Sequence, residues 1–223
     1  MSVAPLMVTG TDTGVGKTLA SAALLHGLRG RGLRAVGMKP VASGCEGTPD
    51  GWRNEDALAL QAASDPRPAY ADVNPYALPI PTAPQLAARE AGVRIEINSI
   101  LAAHARLAAG ADRVVVEGAG GWLAPLGDGL EHAALAAALK ADIVLVVGLR
   151  LGCLNHARLT ARAIESDGLR CAGWIGSTLD PAFGEDYLAL LQEALPAPCL
   201  GVIPHMPTPD PLAASRALNA AFV

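Results

Sequence analysis

Short apolar runs alternate along this chain with longer stretches in which apolar positions recur every three or four residues. Val114-Val115-Val116 and Ile143-Val144-Leu145-Val146-Val147 are continuous rather than alternating. Strands buried on both faces of a parallel sheet read that way. The runs predict strands over 5–9, 34–38, 113–117, 143–148, 171–175 and 199–203. The stretches between them predict helices over 17–30, 55–63, 84–91, 97–109, 130–139, 155–166, 184–195 and 211–220. The Ala-rich 97–109 and 155–166 are the clearest. This alternation gives a doubly wound α/β fold, a mostly parallel sheet flanked by helices. The segment 64–85 breaks the rhythm with Pro66, Pro68, Pro75, Pro79, Pro81 and Pro84. Proline at that density excludes a regular element, so a surface excursion beside the functional site is expected, with a linker to a second domain as the alternative.

Open α/β sheets bind ligands beyond the carboxyl ends of their strands, so the residues just past each predicted strand decide the chemistry. Leu6-Met7-Val8 leads into Gly10-Thr11-Asp12-Thr13-Gly14-Val15-Gly16-Lys17-Thr18 and then an Ala/Leu-rich helix. That is a phosphate-cradling loop of the P-loop NTPase type. Its glycines let backbone N–H groups converge on phosphate oxygens at a helix N-terminus. Lys17 would reach the β- and γ-phosphates, and the Thr18 hydroxyl would ligate Mg²⁺. The strict pattern has glycine at position 11; here Thr11 stands there, with Gly10 one residue earlier.

The later strands run into Lys39-Pro40-Val41-Ala42-Ser43-Gly44, Glu117-Gly118-Ala119-Gly120-Gly121, Leu151-Gly152-Cys153-Leu154-Asn155-His156, Ser177-Thr178 and Pro204-His205-Met206-Pro207. All of these fall at one edge of one sheet. Asp56 opens a predicted helix, where the dipole favours an acid. Glu117 ends a buried run, where a carboxylate is costly unless paired or metal-bound. Asn155 also reads as an N-cap, Trp122 as a packing residue and His156 as an ordinary helix residue.

Composition narrows the picture. The 223 residues suit one domain over 1–223, and with 51% hydrophobic but only 4% aromatic residues its core is Ala/Leu/Val. A net charge of −4 and the lack of a basic run argue against nucleic acid as partner. Lysine occurs only at 17, 39 and 140, which singles out Lys39. Cys45, Cys153, Cys171 and Cys199 form no C-x-x-C pair, so neither structural zinc nor a disulfide framework is expected. No leader pattern precedes the loop, and the run 143–149 is too short to span a bilayer, so no membrane partner and a cytoplasmic location are expected.

With four separate motifs in view (Gly10–Thr18, Lys39–Gly44, Glu117–Gly121 and Gly152–His156), the chain resembles the dethiobiotin synthetases over essentially its whole length. The resemblance implies ATP- and Mg²⁺-dependent carboxylation of 7,8-diaminononanoate with CO₂ or bicarbonate, closing a cyclic urea in a homodimer. One amine would trap CO₂ as a carbamate, the carbamate would attack the γ-phosphoryl group, and the second amine would close the ring and expel phosphate. Residue by residue, the resemblance makes Thr18, Asp56 and Glu117 the Mg²⁺ ligands and Lys17 and Lys39 the catalytic cations. It places Gly14, Val15, Gly16, Gly118, Ala119, Gly120, Ser177, Thr178, Pro204, His205 and Met206 around the nucleotide. Thr13 and Ser43 are similar to substrate contacts. Gly152, Cys153, Leu154 and Asn155 resemble the helix start that holds the substrate carboxylate across the dimer interface, with Tyr187 nearby. Gly14 stands where some members carry glutamate, Ser177-Thr178 where an Asn-Asp pair often reads adenine, and Pro211 where a glutamate helps hold the nucleoside.

Two rival readings share the scaffold. An ATP-dependent amide ligase acting on a large carboxylate could use the same core, though such enzymes usually need a glutaminase partner or domain, and 223 residues leave no room for the domain after this core. A partitioning or positioning ATPase shares such a loop, but carries a further lysine near its start, where this chain has Gly10 and Thr11, and tends to present a basic amphipathic or DNA-binding surface, which the tail 218–223 lacks.

Overall fold

The structure is a computed structural model that describes residues 3–219. In chain order its elements are β1 (Leu6–Gly10), α1 (Lys17–Gly30), β2 (Ala35–Met38), β3 (Val41–Ala42), β4 (Glu46–Thr48), β5 (Gly51–Arg53), α2 (Glu55–Ala63), α3 (Tyr70–Val73) and β6 (Tyr76–Ala77). Then come α4 (Pro84–Glu90), α5 (Ile97–Ala109), β7 (Arg113–Gly121), α6 (His132–Leu139), β8 (Asp142–Leu149), α7 (Cys153–Ser166), β9 (Cys171–Thr178), α8 (Glu185–Ala194), β10 (Cys199–Ile203) and α9 (Pro211–Ser215). Six strands form a parallel sheet in the order β10-β9-β8-β1-β7-β2. No helix among the described residues is long and apolar enough to cross a membrane.

The continuous apolar runs divide by parity between the two faces, as the two-residue period of a strand requires. Leu6 and Val8 of β1 join Val115, Val144 and Val146 beneath Leu24, Leu25 and Leu28 of α1. Met7 joins Val114, Val116 and Ile143 under Ile100 and Leu107 of α5 and Leu135 of α6. A third cluster packs Leu145, Val147 and Trp174 against Cys153 and Ala157 of α7 and Leu191 of α8. Each leucine so buried contributes about 1.5–3 kcal/mol relative to exposure. The helices thus fix the sheet, and the sheet fixes the edge where its carboxyl ends open.

All six predicted strands and all eight predicted helices have a counterpart, with differences that have causes. β7 runs on to Gly121 rather than ending at 117, because Gly121 still pairs with Gly10 of β1. The glycines there have weak strand propensity, but the neighbouring strand supplies the ladder. α9 ends at Ser215, and Leu218 then bridges to Gly201; position 220, where that helix was expected to end, lies outside the described residues, as does the end of the tail 218–223.

The proline-rich segment corrects the expectation of no regular element: it holds α3 and β6, and β6 pairs in parallel with β3. Its prolines punctuate these elements instead of interrupting them. Pro66 and Pro68 precede α3, Pro75 precedes β6, and Pro84 begins α4, a position where the missing N–H costs nothing. Between β3 and α2 the chain folds as the β4–β5 antiparallel hairpin, which the sequence pattern did not reveal.

Candidate active site at the carboxyl edge of the sheet

β1 delivers the loop. Gly14 and Gly16 sit at φ 72° and 87°, where a side chain would be strained. Gly16 has a second constraint, since an added Cβ would lie 2.5 Å from the Ser177 hydroxyl. Thr11, the departure from the strict pattern, has a job: its N–H donates to the Val146 carbonyl at 3.0 Å, and its hydroxyl accepts from the Gly148 N–H at 3.4 Å. The loop is thereby laced to β8. α1 opens at Gly16 with no side-chain cap, which leaves its first N–H groups for an anion. Val15 is buried beneath the loop, and an added Cβ on Gly148 would meet it at 2.9 Å.

Around the loop the structure gathers charges. The Lys39 ammonium lies 2.5 Å from Glu117 Oε1 and 3.1 Å from Asp56 Oδ2. Thr18 Oγ1 stands 2.8 Å from Asp56 Oδ1 and 3.0 Å from Glu117 Oε1. Lys17 donates to the Asp12 carbonyl at 2.9 Å, folded back onto its own loop. These groups are deeply enclosed, with Lys17 at 7% exposure, Lys39 at 4% and Glu117 at 0%. Burial pushes the Lys17 ammonium down to about 8, helped by the positive charge of Lys39. Burial also acts to lower Lys39, but Glu117 and Asp56 beside it prevail and hold its pKa above the ordinary lysine value. For Asp56 burial acts upward, and the Lys39 charge with the Thr18 hydroxyl outweighs it, leaving the carboxyl more acidic than usual.

The oxygens of Thr18, Asp56 and Glu117 form a donor set suited to a small hard cation. The one Thr18 proton faces two carboxylates, and Glu117 Oε2 is buried without a hydrogen-bond partner. An acceptor-only oxygen left bare in the interior is costly. Mg²⁺ takes one or two carboxylates and completes its shell with phosphate oxygens and water. The residues present fit it.

Other expected site residues lie along the same edge. An added Cβ on Gly120 would be 3.7 Å from Thr13 Oγ1, so the end of β7 flanks the phosphate loop. Gly118 and Ala119 lie in β7, and Thr178 ends β9 opposite Leu149. Pro204 and His205 are exposed after β10, while the half-buried Met206 packs against the cluster that holds Val15. Ser43 lies just after β3, its carbonyl 3.4 Å from the Asn54 amide nitrogen. Gly152 takes φ 95° to start α7, with Cys153 buried, Leu154 half-buried and Asn155 exposed. Leu154 and Tyr187 pack on the third core cluster, and Tyr187 stacks on Phe183 with ring centroids 4.7 Å apart. Cys153, Leu154 and Tyr187 thus share one cluster, on the β8–β9 side of the sheet. Arg150, which precedes them, reaches Asp12 of the phosphate loop at 2.9 Å.

Sequence reasoning missed several polar residues that shape this edge. His132, fully buried at the start of α6, accepts from the Ala119 N–H at 3.2 Å, and its Nδ1 lies 2.9 Å from the Ala124 carbonyl. Burial holds its pKa at about 4, so the ring is neutral, with the proton on Nδ1 facing that carbonyl. A lone histidine in an alanine-rich stretch was the available signal. Asn54 caps α2 by accepting from Ala57, a role that its place before Glu55-Asp56 could have revealed.

A parallel sheet, a glycine-rich loop opening a helix, and lysines set among carboxylates define a nucleotide-binding protein of the P-loop NTPase class. A family model described as an AAA domain matches residues 4–212. The chain is 60% identical over 214 residues to the ATP-dependent dethiobiotin synthetase BioD of Xanthomonas euvesicatoria pv. vesicatoria (strain 85-10), covering 95% of this chain and 96% of that protein. It is 61% identical over 209 residues to the BioD of Xylella fastidiosa (strain 9a5c), covering 93% and 92%. The chain belongs to the ATP-dependent dethiobiotin synthetase family. Among solved structures, the MinD cell division protein of Aquifex aeolicus superposes with a TM-score of 0.59 at 15% identity, covering 99% of this chain and 95% of that one. The signal recognition particle receptor FtsY of Elizabethkingia anophelis gives 0.54 at 16%, covering 100% and 65%. That likeness is one of fold alone.

Proposed function

We propose that this chain is an ATP-dependent dethiobiotin synthase, closing the ureido ring of dethiobiotin from 7,8-diaminononanoate and CO₂ with release of ADP and phosphate. The observation that carries the reading is the cluster of buried Lys39 and Glu117 with half-buried Asp56 and Thr18, beside Lys17 at the mouth of the loop. Transfer of a phosphoryl group asks a protein mainly for positioning and for charges that meet the growing negative charge. Lys17 leaves the Asp12 carbonyl to contact the phosphates, and the free N–H groups at the start of α1 take their oxygens. Lys39 sits where a carbamate must approach the triphosphate, and it offsets the repulsion between the two anions. Thr18, Asp56 and Glu117 would hold Mg²⁺, which when bound neutralises and aligns the phosphate oxygens. Gly14, Val15, Gly16 and the β7 turn Gly118–Gly120 flank the phosphates, while Ser177, Thr178, Pro204, His205 and Met206 line the base. No side chain need become covalently attached to substrate.

The same reading gives Thr13 and Ser43 to the diamine end of the substrate. Gly152–Asn155 and Tyr187 go to the carboxylate end, supplied from a second copy of the chain. Leu151, exposed at 85%, and Leu190, at 47%, support an apolar seat for that copy on this side of the molecule. Incubation with the diamine, bicarbonate and ATP, with mass detection of dethiobiotin, tests the proposal. ATP hydrolysis indifferent to diamine and bicarbonate would instead favour a switch-type ATPase.

A further inference from the structure

The excursion between α2 and α4 touches the site through a polar relay, buried at Asn54 and Asn74 and half-buried at Tyr70, that no part of the proposed chemistry uses. Asn74, at 3% exposure, donates from Nδ2 to the Lys39 carbonyl at 2.7 Å and to the Tyr76 carbonyl at 3.2 Å. The Lys39 N–H in turn donates to the Val73 carbonyl at 2.8 Å. The Tyr70 hydroxyl donates to Asn74 Oδ1 at 3.1 Å and accepts from the Asn54 N–H at 2.8 Å. Asn54, at 6% exposure, caps α2 two residues before Asp56 and reaches the Ser43 carbonyl with its amide. The Arg53 guanidinium covers the Tyr70 ring, 4.2 Å from its centroid.

Tyr70 and Asn74 each have their polar side-chain atoms matched. One hydroxyl uses its proton toward one side and a lone pair toward the other; one amide uses its oxygen and both hydrogens. Fully satisfied buried networks of this kind fix geometry, and a gap in one leaves an unpaired group in the interior. The three segments they tie together carry the Lys39 ammonium, the Ser43 loop and the Asp56 carboxylate. Lys39 follows β2 of the main sheet, whereas Asp56 stands at the start of α2, outside that sheet and beyond the β4–β5 hairpin. The main sheet alone therefore does not set the distance between Lys39 and Asp56.

We propose that Tyr70 and Asn74 are positioning residues, which hold the Lys39 backbone and the N-terminus of α2 so that the ammonium and the Asp56 carboxylate meet the transferring phosphoryl group together. This rests on the reading of Lys39 as the charge that meets that group. Neither residue touches substrate; both act through Lys39 and Asp56.

A double-mutant cycle tests it. The turnover number is measured by dethiobiotin formation at saturating substrates for the wild type, Tyr70→Phe, Lys39→Ala and the double variant. Tyr70→Phe keeps the ring and its Arg53 contact and removes only the hydroxyl. If the hydroxyl works through Lys39, the single change lowers kcat ~10-fold, the scale of a small misplacement in a site. In the Lys39→Ala background, with Mg²⁺ saturating so that the displaced Asp56 no longer limits the rate, it then costs less than about twofold. It should also raise the Mg²⁺ concentration for half-maximal rate, because Asp56 is displaced. Asn74→Asp, which sets an oxygen against the Lys39 carbonyl, should repeat the pattern and decides the matter if Tyr70→Phe does not fold. An equal loss in both backgrounds, or a wild-type rate for both variants, would overturn the proposal. Full activity of Lys39→Ala would overturn it in a different way, by removing Lys39 itself from the chemistry.

Discussion

The two ends of the proposed site are built on opposite principles. At the phosphate end the working groups are charged side chains pulled out of water and set against each other, with Lys39, Glu117 and Lys17 all under a tenth exposed. At the base and carboxylate ends the proposed contacts are more open and backbone-rich: Pro204, His205, Gly152 and Asn155 face solvent, although Ser177 and Cys153 are buried. A phosphoryl group in transfer needs charges already in place at low effective dielectric. A base or a carboxylate needs only recognition, which loop amides and a few hydrogen bonds supply. The difference teaches where a single substitution should be severe and where it should be mild.

Four changes probe that contrast, in descending order of effect. Lys39→Ala should lower kcat roughly 10²–10³-fold, as loss of one preorganised charge-stabilising group does, in steady-state assays of dethiobiotin formation. Near-normal turnover would place Lys39 outside the mechanism. Stability should respond too, because Lys39→Met leaves Glu117 buried without its cation. A denaturant titration should show a loss of about 3 kcal/mol, largely restored when Glu117→Gln is added, while activity stays lost. No recovery in the pair would mean that the two groups are not energetically coupled.

The third probe is pH. With its pKa near 8, Lys17 is charged below that value and neutral above it, so the ligand-free protein should bind anions less well as pH rises through 8. The dissociation constant for ADP, measured calorimetrically, should climb by up to ~10-fold per pH unit there, and Lys17→Arg should flatten the curve. The mildest probe is at the exposed end. Asn155→Ala should weaken diamine affinity roughly five- to tenfold with kcat little changed, the scale of one hydrogen bond to a charged group. Unchanged affinity would remove Asn155 from the carboxylate site.

The same physics decides how much of this contrast was legible in the sequence. Each of the six strands of the main sheet contains a short apolar run, continuous in β7 and β8, and the phosphate loop is a local pattern of glycines, lysine and threonine. Both are set by neighbours in sequence. Lys39 and Glu117 were visible as charges directly after strands, although their pairing across 78 positions was not. The relay through Tyr70 and Asn74 was hidden, because an asparagine and a tyrosine among prolines carry no period and no motif. The hairpin β4–β5 was hidden for a different reason, since its residues are almost all exposed and leave no apolar alternation to read. β7 ran past its expected end because its last glycines borrow their strand geometry from β1.

β1 is paired on both flanks, to β7 and to β8, and every one of its residues is buried. A strand so enclosed has no local way to fray, and amides in such a place open only when the whole molecule does. The loop that it feeds is stitched at Thr11 to β8 as well. The phosphate loop is therefore anchored at its base, while its tip at Asp12, Thr13 and Gly14 is exposed, so any local opening around the phosphates has to begin at that tip and not in the strand that feeds it.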